Sequence, residues 1–356
     1  MTVFWSIIAA VFVFGFLILA HEAGHYFVAR RCGVAIEEFS VGMGPKLFSR
    51  KMKKHDTVFS IRALPIGGYV AMVGESGDED LPGALSAKPA WQRFLVFAAG
   101  ATVNLIVGFL IVILIVCISV SQGTLASNTI ADFQEGATSC AEGGLLPGDE
   151  VIKVGKVRVH SGEELTYEIT NQGSKPLDLT VIRNGEKIVL EDIVFPQFED
   201  QGIVFGDCDF KVWAVEDPSF FQLIRITWRR SLSLVKMVWD SLFNLITGRF
   251  SVSAVSSPIG VTSAVKDTIE GSDWDPMQIL QYVLNITAVI SIKLGVFNLI
   301  PFPALDGGRF LFLIIEAIRR KPISQEIEGK INFVGIALLM ALMLVVVLKD
   351  IIVLIF

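Results

Sequence analysis

Cysteine is scarce in this chain of 356 residues: Cys32, Cys117, Cys140 and Cys208 lie far apart, with no CxxC among them. That spacing indicates neither a disulfide framework nor a cysteine zinc site, and no structural bridge is expected between Cys140 and Cys208. Charge is scarce too. Charged residues make up 19% of the sequence, below the roughly 25% of soluble domains. Hydrophobic residues reach 52% and mean hydropathy is +0.60. The net charge is −6 and no basic stripe runs along the chain, which argues against nucleic acid as a partner. The N-terminal segment has no basic n-region and no small-x-small cleavage site, and its apolar run is too long for a secretory signal. It reads as a retained span, and the composition predicts an integral membrane protein.

Hydropathy predicts four spans, at about Thr2–Ala29, Phe94–Val120, Ile279–Ile300 and Phe333–Leu348. The last reaches Phe356 if Lys349 and Asp350 snorkel. Basic residues crowd the loop between spans one and two (Arg30, Arg31, Arg50, Lys51 and others), and Arg309, Arg319 and Arg320 follow span three. The positive-inside rule makes both loops cytoplasmic. Both termini and the segment from about Gly123 to Pro276 then lie outside, as an even number of spans demands.

Period-two alternation in EEFSVGMGP and TVFSIRALPIGGYVAMVG predicts short strands in the first cytoplasmic loop. Pro65 and Gly67–Gly68 mark a bend or a close backbone approach. Without GKS/T and a following helix, the glycines make a weak phosphate loop. In the outer segment, CAEGGLLPGDEVIKVGKVRV combines a small helix-like patch, a PGD turn and an alternating strand. It resembles a PDZ domain of the bacterial kind; the plain alternative is an arbitrary hairpin with a Pro-Gly turn. Strands at Leu177–Arg183 and Lys187–Ile193, joined by Asn184–Gly185, extend this β unit to roughly Pro196. Pro218–Arg249 then reads as one amphipathic helix, suited equally to packing on a core or lying in the outer membrane interface.

The chemistry sits in LILAHEAGHYFVA. From Thr2 to Ala20 no residue is charged, so His21, Glu22 and His25 interrupt or end an apolar run. An ionisable group at membrane depth costs about 3 kcal/mol or more. One reading is a boundary effect, with the histidines at the headgroups. The other is a metal site. HEAGH is HExxH: on a helix both imidazoles share one face and reach one zinc ion, with Glu22 placed as general base for a water that the metal activates. A catalytic zinc needs a third protein ligand. His55 lies in a charged stretch and His160 across the membrane, so the better candidate is a carboxylate at depth, Asp306 in NLIPFPALDGGRF. Asp306 could instead cap the next helix. Spans one and three run in the same direction, however, and bring both motifs toward the cytoplasmic side.

HEAGH, FSVGMGP, PIGGYV, AAGATVN, the PDZ-like insert, SSPIG and NLIPFPALDGGR, in that order, resemble the site-2 protease family of intramembrane zinc metalloproteases across nearly the whole chain. The closest likeness is to its RseP-type (regulator of sigma-E protease) members. The resemblance implies Zn2+, one per chain, held by His21, His25 and Asp306, with Glu22 as base. It implies that the strands around Gly67, Gly68, Tyr69 and Val70 form a membrane-associated β-loop that captures unwound substrate by strand addition. It also implies substrate-binding roles for Asn298 and for Asn104 on span two. The sequence departs from the family pattern in three places: Ala101 stands for a proline, Lys293 for an asparagine, and there is one PDZ unit where proteobacterial relatives carry two.

The expected fold is a polytopic α-helical membrane protein with four transmembrane helices, a cytoplasmic-side β-loop (about 36–74) and an inserted extracytoplasmic PDZ domain. Its expected parts are 1–122 (membrane), 123–200 (PDZ), 201–275 (linker with interfacial helix) and 276–356 (membrane). The expected activity is peptide hydrolysis in single-span proteins of a bacterial inner membrane, such as anti-sigma factors or remnant signal peptides. A zinc transporter would spread ionisable residues over several spans or repeat its halves. A catalytically silent PDZ scaffold would not need Glu22. The oligomeric state is not legible.

Overall fold

The computed structural model describes residues 2–52, 56–75, 81–200, 203–215, 218–247, 275–321 and 323–355. The SSPIG motif at 256–260, His55 and Phe356 lie outside them. The chain forms two compact units, one from Met1–Ile111 with Val255–Phe356, the other from Val112–Ala254.

Long apolar stretches give long helices: α1 (Thr2–Arg31), α5 (Pro276–Leu299) and α7 (Gln325–Ile355) in the first unit, and α2 (Ala90–Ser121), which begins in the first unit and ends in the second. Each contains a stretch long and apolar enough to cross a membrane, so the protein is a polytopic membrane protein with four such helices among the described residues. An Asp275–Gln278 capping box and Pro276 in the first turn start α5. Pro301 and Pro303 end it, because proline cannot donate to a helix and forces its predecessor to be extended. Ile300 accordingly takes φ −66°, ψ 135°. The chain then turns through Ala304, held in the left-handed region at φ +76°, into α6 (Asp306–Arg319). Asn332 Oδ1 of α7 accepts from the Ala304 N–H at 3.3 Å. Near the end of α7, Lys349 and Asp350 pair with each other at 2.8 Å.

The predicted strands are longer than their alternation suggested: β1 spans Ile36–Lys51 and β2 spans Val58–Met72. Both fold back on themselves. Residues 58–61 pair with 48–51 on one side and with 38–41 on the other, and 68–72 pairs with the far side of 36–41. The result is a four-segment sheet with 68–72 at one edge. Phe39, Val70 and Met72 from its inner side join Ala29 of α1, Val96 of α2 and Leu313 of α6 in one buried cluster.

The second unit contains a sheet in the order β10 (Phe210–Ala214), β3 (Ala126–Phe133), β4 (Glu150–Val154), β6 (Leu177–Arg183) and β7 (Glu186–Ile193). β5 (Val157–Arg158) flanks β4, and β8 (Gln197–Asp200) pairs with β9 (Ile203–Gly206). The Asn184–Gly185 link has positive φ at both residues, as a two-residue hairpin requires. The PGD turn has a structural purpose: buried Asp149 receives Nε and Nη2 of Arg183 at 2.7 and 2.8 Å. The CAEGG patch forms turns, not helix, and just before it Asp209 accepts from the N–H groups of Thr138 and Ser139. The sheet also continues past residue 200, since β10 hydrogen-bonds β3. Helix α3 (Gly162–Gln172), unforeseen from hydropathy, starts at Ser161, whose side chain accepts from the Glu164 N–H.

Helix α4 (Phe220–Ile246) is oriented opposite to a core helix. Its charged side meets α3, through Arg230–Glu163 at 2.7 Å and Lys236–Glu168. Its aromatic side faces outward, with Phe221 82% and Trp228 57% exposed.

Candidate metal centre

The last turns of α1 place His21 and His25 on one face, ring centroids 4.8 Å apart. Each imidazole is held from behind. His25 Nδ1 donates to the Val96 carbonyl at 2.8 Å, which leaves the Nε2 lone pair of the neutral ring free. His21 Nδ1 lies 3.3 Å from Nδ2 of Asn104, a fully buried residue whose Oδ1 has no partner. Turning this amide over would let Oδ1 accept from Nδ1–H, and His21 would then also present a free Nε2.

Asp306 completes the group. It is the first residue of α6; the cap position belongs to Leu305, which has no side-chain cap bond. The Asp306 carboxylate instead reaches α1, with Oδ2 3.1 Å from His21 Nε2 and 3.2 Å from His25 Nε2. The two Nε2 atoms are 3.2 Å apart. Two imidazole nitrogens and a carboxylate oxygen thus converge on one point, each able to offer a lone pair to a single cation. Ligands held tetrahedrally about 2.0–2.2 Å from one ion lie roughly 3.3–3.6 Å apart, close to the edges of this triangle. Two neutral imidazoles and a carboxylate fit zinc, which prefers such mixed nitrogen and oxygen donors.

Two glycines let backbone reach the group. A β-carbon added at Gly100 of α2 would lie 2.4 Å from His25 Nε2 and 2.6 Å from His21 Cε1. One added at Gly68 would lie 2.8 Å from the Ser40 carbonyl and 3.4 Å from Glu22 Cγ. The edge segment therefore starts directly against the Glu22 side chain. Glu22 is also within electrostatic reach of His21, His25 and Asp306.

The remaining sequence candidates are placed as follows. Gly67 takes φ +84° beside Met43. Tyr69 joins a polar cluster on the sheet, where Arg62 sits 5.1 Å from its ring centre and bonds both its hydroxyl and Glu38. Burial opposes ionisation of Glu38, but bonds from Ser60, Lys46, Tyr69 and Arg62 outweigh it and hold its carboxyl at about 2. Val70 is buried in the apolar cluster. Asn104 stands behind His21, and Ser291 Oγ donates to its carbonyl at 2.7 Å. Asn298 is half-buried in the last turn of α5, with no hydrogen bond to the histidines or Asp306 among the described residues. Sequence reasoning missed Gly100, Val96, Ala304 and Asn332.

Comparison with known proteins bears on this arrangement. Residues 9–342 match the model of Peptidase family M50. The chain belongs to that family, the site-2 protease family. A protein of Clostridium acetobutylicum is 33% identical over 352 residues, 98% of each chain. Zinc metalloprotease RasP of Shouchella clausii is 28% identical, and Regulator of sigma-W protease RasP of Bacillus subtilis 27%, each alignment covering 97% of this chain and 98% of the relative. As a family M50 member the chain is a zinc-dependent metalloprotease of the membrane, and zinc is its cofactor.

Proposed function

We propose that this protein is an RseP-type protease with a single PDZ domain, that His21, His25 and Asp306 hold its zinc, and that Glu22 is the general base. The observation that carries the reading is the convergence of three potential ligand atoms beside Glu22. Bound zinc supplies a Lewis acid that polarises the scissile carbonyl and acidifies water. Glu22 takes the proton of the attacking water and delivers it to the leaving amine. Asn104 and the Val96 carbonyl orient the imidazoles. A substrate helix must unwind to expose a peptide bond, and its freed backbone groups need partners within the membrane. The 68–72 edge supplies them, Gly68 bringing the paired strand close to Glu22, and Asn298 is assigned to substrate backbone. Water reaches the site from the cytoplasmic side.

The substrates are single-span membrane proteins, anti-sigma factors or remnant signal peptides, cut in regulated intramembrane proteolysis. The protein spans the inner membrane with both termini and residues 123–215, the PDZ domain, outside. That range replaces the shorter 123–200, because β10 shares the sheet. The PDZ domain filters out substrates whose ectodomain is still large. The exposed aromatic side of α4 supports placing it in the outer interface.

The test is cleavage of a single-span reporter by purified protein, wild type against Glu22→Gln. Loss of a general base lowers the rate by about 10²–10⁴-fold. Equal cleavage by both proteins rejects Glu22 as base.

A further inference from the structure

We propose that Glu75 and Arg309 are positioning residues that couple the substrate-pairing strand to the helix presenting Asp306; this rests on the strand-edge reading above. The segment 68–72 is tied down at both ends. Gly68 at its start packs against Glu22 and the Ser40 carbonyl. Beyond its end the chain turns back: the Glu75 N–H donates to the Met72 carbonyl at 3.3 Å, and the Met72 N–H to Glu75 Oε2 at 3.4 Å. The turn is anchored on the sheet side, because the Val73 N–H donates to the Ala35 carbonyl at 2.9 Å. Glu75 Oε1 then accepts from Arg309 Nη2 at 2.5 Å.

Arg309 lies three residues after Asp306, so both project from neighbouring turns of one α6 face. Its guanidinium is 4.9 Å from the centre of the Phe97 ring, a flat stacking surface that lysine would not use as well. With side chains 30% and 27% exposed, removing either partner leaves the other partly desolvated and unpaired. A second ion pair braces the same helix from α2: Arg93 donates to both carboxylate oxygens of Glu316, at 2.9 and 2.5 Å. Asp306 is thus kept in place by Arg93–Glu316 and by the histidines when Glu75 lets go. The strand end keeps its turn bonds, its pairing with 36–41 and the Val73 bonds to Ala35 and Leu85 but loses its tie to α6, so loss of Glu75–Arg309 alters the position of the edge before it alters the metal group.

The test measures KM, kcat and bound zinc for Glu75→Gln, Arg309→Gln and the exchange Glu75→Arg with Arg309→Glu, using a single-span reporter. Each single change is expected to raise KM about three- to tenfold with kcat within about twofold and zinc unchanged, and the exchange to bring KM most of the way back. Unchanged KM in the single variants overturns the proposal. So does loss of zinc, which would make the pair part of the metal scaffold, or an exchange no better than the single changes. Ala71→Cys, with the native cysteines replaced by serine, separates this from the reading beneath it. Its oxidative crosslink to a substrate cysteine reports strand pairing. Without a crosslink the edge reading fails and takes the proposal with it; with a crosslink and unchanged KM, only the coupling fails.

Discussion

Gly100 faces His25 so closely that a β-carbon there would lie 2.4 Å from Nε2. No real contact is that short, and the neighbours are imidazoles already fixed from behind. Gly100→Ala should therefore displace them, weakening zinc binding by about 10- to 100-fold, the equivalent of overpacking by 1–3 kcal/mol. Competition with a chelator measures this. Unchanged affinity would mean that α2 can move away.

Asp306→Asn removes the charge that draws two lone-pair donors and a cation together. Bound zinc per chain should fall well below one on elemental analysis, while Asn104→Leu, which acts only through His21, should cost about 10- to 100-fold in affinity. Chelation should abolish cleavage by the wild type and added zinc should restore it. Full zinc occupancy in Asp306→Asn would remove it as a ligand.

Ala304 adopts φ +76° two residues before Asp306, where a side chain with a β-carbon is disfavoured by about 1–2 kcal/mol. Ala304→Gly should keep zinc and activity and raise the unfolding temperature slightly. Ala304→Val, branched at the β-carbon, should lower both zinc content and unfolding temperature. Equal behaviour of the two variants would show that the turn tolerates rearrangement.

Two cysteines report the side of the membrane on which the second unit lies. Cys140 is exposed, whereas Cys208 is half-buried and burial pushes its thiol up to about 12. The thiolate is the reactive form, so at pH 8 Cys208 is almost wholly protonated. A membrane-impermeant maleimide applied to intact cells should modify Cys140 quickly and Cys208 slowly. Reaction of Cys140 only after permeabilisation would reverse the proposed topology.

Much of this was legible in the sequence because it rests on short-range rules. Helical period alone puts His21 and His25 on one face, and two prolines alone predict the break before Asp306. The Asn184–Gly185 hairpin is equally local. What escaped is set by which helices touch. Gly100 looks like any glycine in an apolar span until α1 packs on it, and Asn104 reads as a polar residue facing substrate until His21 is found against it. The double pairing of residues 38–41 also escaped, because alternation predicts a strand but not how many neighbours it takes. Helix α3 had a local signal, the Ser161-to-Glu164 capping pattern, hidden by its low apolar content.

The reversed orientation of α4 has a practical consequence. A fragment of the second unit that stops near residue 215 keeps every strand of its main sheet and should remain dispersed in water. One that continues to residue 247 carries the exposed apolar side of α4, including Phe221, Ile224 and Leu232, and without lipid or detergent it should clump.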